Sequence, residues 1–109
     1  MIAIGKRINA LLSPLGAVYP MLAPVDAKAP FIVYTRDNIA RTYDKDGISE
    51  EVATVTVNVV HRSYSEAVDV AEKADGILTE TGRARLVEAG EAYYPDDNLF
   101  IQSLTYEMI

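Results

Sequence analysis

The side chains in this 109-residue chain that could do chemistry are few, and their spacing argues against most reactions. His61 is the only histidine, and cysteine is absent. That removes every two-histidine metal motif, any thiolate nucleophile, any zinc–thiolate site and any disulfide framework. A lone imidazole can still act as acid or base. His61, however, ends a strand-like segment beside Arg62 with no carboxylate in its motif, and reads as a structural or surface histidine. Asp44-Lys45-Asp46-Gly47 begins like a calcium loop. Such a loop needs glycine at its sixth position and a bidentate glutamate at its twelfth. Counting from Asp44, glycine comes fourth and Val55 twelfth, so the segment reads as a turn. Asp96 and Asp97 are adjacent carboxylates, but acid–base pairs need convergent geometry, and between Pro95 and Asn98 they look like turn chemistry. The glycines are dispersed with no phosphate-cradling GxGxxG or GxxxxGK, and no serine sits in a GxSxG elbow. No catalytic, cofactor-binding or metal-binding residue emerges, so the expectation is a protein that is not an enzyme, carries no cofactor and works through its surfaces.

Composition narrows the class. With 50% hydrophobic and 24% charged residues the chain is ordinary for a soluble globular protein, and its length implies a single domain over residues 1–109. A chain of this size buries about two-thirds of its unfolded surface, enough for one core without metals or staples. Ten basic residues stand against sixteen acidic ones, a net charge of −6. An average surface of that sign repels a phosphate backbone, which disfavours sequence-tolerant nucleic-acid binding. The opening MIAIGKRINALLSPLG is broken by Lys6, Arg7 and Asn9, so it reads as a short helix rather than a signal peptide. No run of about 18 apolar residues is present, and no membrane partner is expected.

The elements that must position these surfaces follow from periodicity. VATVTVNVVHR, Val52 to Arg62, alternates strictly: Ala53, Val55, Val57 and Val59 form one apolar face, and Thr54, Thr56 and Asn58 the other. That is a half-buried antiparallel strand with one wet or partner-facing side. Ile4, Ile8, Leu11 and Leu12 predict a first helix over 2–13, stopped at Ser13-Pro14. A short strand follows over 16–19, then a proline-rich loop over 20–30. Phe31 to Arg36 predicts a strand with apolar residues on both faces, and Asp46-Gly47 marks a hairpin turn inside a long segment, 37–51. Ser63 and Glu66 form a capping-box pattern for a second helix. Its stripe is Ala67, Val70, Ala71, Ala74, Ile77 and Leu78, and Glu66, Asp69, Glu72, Lys73 and Asp75 face water. Gly82 stops it. Strands over 83–94 and 99–108 close the chain around a Pro95–Asn98 turn. The predicted fold class is α+β, a small antiparallel β-sheet with two α-helices packed on one face.

Seven tyrosines, with two phenylalanines and no tryptophan, favour protein–protein contact surfaces over base stacking in so acidic a chain. Several stretches, spread over most of the length, carry a likeness. They are the helix ending near Leu12, Val18-Tyr19-Pro20, Ala23-Pro24, Ala29-Pro30-Phe31-Ile32-Val33-Tyr34, the Val55, Val57, Val59 strand, Tyr64-Ser65-Glu66-Ala67, and Phe100 to Tyr106 after acidic turn residues. In this order the chain resembles the small tail completion proteins of long-tailed bacteriophages and prophages, related to tail terminator and tail-to-head joining proteins.

The resemblance implies a virion tail protein, assembled in the bacterial host cytoplasm. It also implies a ring of identical subunits, commonly a hexamer, that caps the tail tube and joins it to the head connector. The implied partners are the chain itself, the tail tube protein, the head–tail connector protein and DNA that passes through the lumen without specific binding. Phe31, Ile32, Val33, Tyr34, Thr54, Thr56 and Asn58 are the candidate subunit interface. Asp44, Asp46, Glu50 and Glu51, in the segment 37–51, are a candidate lumen or docking loop, since function concentrates on loops. Two other readings compete: a small-molecule-binding regulatory α+β domain, and a head-completion or neck adaptor.

Overall fold

The computed structural model describes residues 2–44 and 47–109, with side chains for 5–40 and 51–109. Helix α1 spans Ile2–Leu12 and passes into a 3₁₀ turn at Ser13–Leu15, where Pro14 ends the α-helical hydrogen bonding. Strands β1 (Ala17–Pro20), β2 (Phe31–Asp44) and β3 (Gly47–His61) follow, then α2 (Tyr64–Glu80), β4 (Ala84–Tyr94) and β5 (Leu99–Met108). The five strands form one sheet in the order β1-β2-β3-β5-β4. This is the expected α+β fold, with one difference. Strand β1 pairs with β2 in parallel, Ala17 opposite Phe31 to Pro20 opposite Tyr34, so the sheet is mixed rather than wholly antiparallel. The proline-rich loop over 21–30 explains it: it is long enough to carry the chain back past the sheet end and restart in the same direction.

The period-2 pattern of β3 decides where the core lies. Ala53, Val55 and Val57 are fully buried and Val59 is 1% exposed, all facing the helices. Ile8 and Leu12 from α1, and Ala71, Ala74 and Leu78 from α2, pack on that face with Ile32, Leu104, Tyr106 and Met108. The alanines of α2 let the helix lie close to the sheet. Helix α1 also sits close, because a Cβ at Gly5 would come within 3.3 Å of the Tyr34 hydroxyl. Tyr106 is the largest fully buried side chain, and its hydroxyl donates to Asp75 Oδ1 at 2.7 Å. Burial, and then the neighbouring Asp75 carboxylate, push the Tyr106 phenol well above its ordinary range. Asp75 is therefore not simply water-facing as the helical pattern implied. It supplies the acceptor that a buried phenol requires.

Helix α2 begins as expected, with the Ser63 hydroxyl accepting the Glu66 N–H at 3.5 Å. The reciprocal half of the capping box is replaced. The Ser63 N–H donates to His61 Nδ1 at 3.2 Å, and the Glu66 carboxylate lies 3.2 Å from His61 Nε2. The imidazole takes over the acceptor role expected of Glu66 and joins the strand end to the helix start. At the other end Thr81 caps the helix and Gly82 takes φ +72°, its N–H donating to the Thr79 carbonyl at 3.1 Å. The Asp69–Lys73 pair forms at 3.1 Å.

The segment 37–51 departs furthest from expectation. Its described residues, 37–44 and 47–51, are strand and not a docking loop: β2 and β3 pair along it as the hairpin that Asp46-Gly47 implied, from Asn38 opposite Thr54 to Asp44 opposite Gly47. The charged residues suggested a solvated loop, yet Ile39, Thr42, Tyr43 and Ile48 are strand formers interleaved with the charges. Strand β5 accompanies β3 only as far as Ala53, opposite Met108. Beyond that point the hairpin continues as a two-stranded arm, and the molecule measures 53 × 26 × 23 Å.

Candidate functional site

The helices cover one face of the sheet, and among the described residues no layer of helix or strand lies on the other. On this open face β3 presents Thr54, Thr56, Asn58 and Val60, β2 presents Phe31, Val33 and Thr35, and β5 presents Ile101, Ser103 and Thr105. The face divides along its length. Towards the β4–β5 turn it is apolar, a shallow hollow of about 340 Å³ whose lining includes Met21, Leu22, Phe31, Val33, Val60 and Tyr94. Met21 is 76% and Leu22 82% exposed on its rim, and Val25 in the same loop is wholly exposed. Of the polar side chains in the hollow, Ser103 donates its hydroxyl to Asn58 Oδ1 at 2.5 Å, and Tyr94 adds an exposed phenol.

Towards the arm the face becomes a polar row. A bulge in β2 between Arg36 and Asn38 places Asp37 out of register and turns its carboxylate across the strands. The Thr35 hydroxyl donates to Asp37 Oδ1 at 2.7 Å and the Thr56 hydroxyl to Oδ2 at 2.5 Å. Thr56 and Thr105 stand 3.3 Å apart, and Arg85 Nη2 reaches Glu107 Oε2 at 3.0 Å on the neighbouring pair of strands. These groups hold one another and aim no free acid, base or nucleophile at a common point. Among the described residues no group of three or more His, Cys, Asp or Glu side chains is arranged to hold a metal ion.

The proposed interface residues separate by face. Phe31, Val33, Thr54, Thr56 and Asn58 lie together on the open side. Ile32 and Tyr34 do not join them, because alternation turns them to the helices: Ile32 is 2% exposed within the core and Tyr34 packs against it. Two apolar faces on β2 look alike in sequence, and only the position of the helices distinguishes core from surface. Of the proposed docking residues, Asp46 and the side chains of Asp44 and Glu50 lie outside the described residues, and Glu51 is a half-buried residue of β3 opposite Arg41.

Three features were not read from the sequence. One is the Asp37 bulge, whose signal was an acidic residue interrupting the alternation of β2. Another is the exposed Met21–Val25 loop, which shows as apolar residues between prolines. The third is an aromatic cluster at the start of α2, where Phe100 stacks on Tyr93 at 4.6 Å between ring centroids and meets Tyr64 edge-on at 5.8 Å. Tyr64 donates to Glu91 Oε1 at 3.3 Å, and that hydrogen bond to a carboxylate raises the phenol above its usual value.

Comparison with known proteins extends over almost the whole chain. A family model described as tail completion protein gp17 matches residues 3–109. A solved structure described as the virion of a native gene transfer agent particle contains a chain of similar fold. The two superpose with a TM-score of 0.67 at 14% sequence identity, covering 93% of this chain and 81% of that one. At that identity the likeness is one of fold. No curated protein sequence matches the chain.

Proposed function

The chain belongs to the tail completion protein gp17 family of structural phage tail proteins, and from that premise we propose that it is the subunit of a ring, a hexamer, at the head-proximal end of a phage or prophage tail tube. There it ends tube polymerisation and offers the head connector a surface to bind. The subunit is made in the host cytoplasm and resides in the virion tail, a place in keeping with the like fold found in a gene transfer agent virion. Its partners are copies of itself, the tube protein and the connector.

The observation that carries this reading is the uncovered sheet face. A stable domain of this size has used its helices to bury one side of the sheet. It leaves on the other an apolar hollow beside a row of polar groups already bonded to each other. Apolar surface ringed by satisfied polar groups is what a protein interface presents, and a catalytic site presents the opposite, unsatisfied groups that converge. The hollow is large enough for a small ligand, but recognition of one requires polar groups free to orient it. Here the Ser103 hydroxyl is spent on Asn58 Oδ1, and apart from Asn58, Ser103 and Tyr94 the lining is apolar.

Net acidity fits passage of DNA. The water-facing side of α2 carries Glu66, Asp69, Glu72 and Glu80 against Lys73. A lumen of that sign repels the phosphate backbone, so DNA slides without adhering.

Electron microscopy of tails produced with and without this protein tests the reading. With it, tubes are uniform in length and carry heads. Without it, tubes are overlong and headless. Uniform, head-bearing tails in its absence would overturn it.

A further inference from the structure

Two long stretches of sheet edge, close in length, lie on opposite sides of the molecule. On one side β1 covers β2 only from Phe31 to Tyr34. From Thr35 to Asp44 no strand among the described residues lies along the outer side of β2. On the other side β4, eleven residues from Ala84 to Tyr94, pairs with β5 alone. All but the first of its residues are exposed, including Leu86, Val87, Tyr93 and Tyr94. Each edge is a row of main-chain N–H and C=O groups set to accept another strand. The exposed edge of β1, by contrast, is four residues long and ends in Pro20, a form that resists pairing.

The arm supplies a second reason. Past Ala53 it has only two strands, and an isolated two-stranded hairpin is marginal in water. A third strand along β2 would complete it.

We propose that β4 of a second copy of this chain pairs along β2 between Thr35 and Asp44, so that the sheet continues from one subunit into the next. This rests on the ring reading and specifies its joint. Strand β1 occupies the upper part of the β2 edge, so the neighbour's β4 is displaced towards the arm by the length of β1. The pairing is antiparallel when all sheets in the ring run the same way, since β4 and β2 point in opposite directions within one subunit. The two edges are different surfaces, so the contact is head-to-tail. A staggered contact of this kind closes when the strands tilt relative to the ring axis. Such pairing brings Asn38 near Gly90 and Ala92 of the neighbour, all on the open face.

The natural chain contains no cysteine, so introduced pairs report without background. Asn38→Cys combined with Gly90→Cys or with Ala92→Cys places one thiol on each edge. A Cβ at Gly90 meets nothing within 4 Å, so that substitution is accommodated. Within one subunit β2 and β4 are separated by three strand spacings, roughly 14 Å, whereas a disulfide needs Cα atoms within about 7 Å. Any bond between the edges therefore joins two copies. After mild oxidation, the double variants should give a ladder of covalent oligomers on non-reducing gels, and each single variant nothing beyond a dimer. Light scattering on the same samples separates the outcomes. A ring-sized species without a ladder in either double variant would overturn the edge pairing and leave the ring standing. Where the free chain is a monomer, the same oxidation is applied to tails assembled with the double variants: a ladder there supports the edge pairing, and uniform, head-bearing tails without a ladder would overturn it and leave the ring standing.

Discussion

Ile32 and Val33 are neighbours on one strand, chemically alike, and differ in fate. Ile32 lies under the helices with Val59 and Val57 in the core. Val33 lies on the open face, lining the apolar hollow beside Phe31 and Asn58. The contrast extends to the whole sheet. One face is dry and closed by two helices, and the other is half apolar and half a bonded polar row with no layer over it. Hydrophobic burial on the first face accounts for folding. Apolar exposure on the second has no such use inside the subunit, and the proposed assembly contact would cover it.

The sharpest way to break this contrast is to truncate both neighbours. Ile32→Ala removes a buried branched side chain and should lower unfolding free energy by about 2–5 kcal/mol in urea titration. Val33→Ala should cost less than about 1 kcal/mol, because its side chain is only partly buried, while weakening oligomer formation. Equal losses from the two would mean that the open face is already covered within the subunit. Next in size is Tyr106→Phe, which strands Asp75 and should cost about 1.5–3 kcal/mol, the usual value for a hydrogen bond to a charged group. It also changes the alkaline limb. The raised Tyr106 pKa means the folded state holds that proton more tightly than the unfolded chain. Stability is therefore unaffected below the unfolded tyrosine value of about 10 and falls as pH rises above it, by at most about 1.4 kcal/mol per pH unit from this group. The Phe variant should lose that share of the slope. Ser63→Ala removes the cap of α2 and should cost about 1 kcal/mol by thermal melting. The smallest effect expected is from Thr56→Val. It deletes one donor to the exposed Asp37 and should change subunit stability by under about 1 kcal/mol, since that carboxylate keeps Thr35 and water.

Most of the fold was legible because its signals are local. The alternation in β3, the alanine stripe and Ser63 cap of α2, and the Pro95–Asn98 turn each state their own structure. The elements that escaped depend on partners distant in sequence. The parallel placement of β1 depends on where the 21–30 loop returns, and no periodicity encodes that. His61 displaces Glu66 from the capping box only because the strand end meets the helix start in space. The arm was read as a loop because charges on a two-stranded ribbon resemble charges in a turn, and the core that would mark a strand is absent there. For the candidate site, the Thr54, Thr56, Asn58 face was plain from alternation. Ile32 and Tyr34 were grouped with it because an apolar residue does not announce which face the helices will take.

Electron cryomicroscopy of the head-proximal end of the assembled tail tests the central claim most directly. A closed ring of this chain at one end of the tube is expected, with Phe31, Val33 and Thr56 buried against a neighbouring subunit or the tube. The same density showing the subunit absent from that end, or present with its open sheet face bare to solvent, would contradict it.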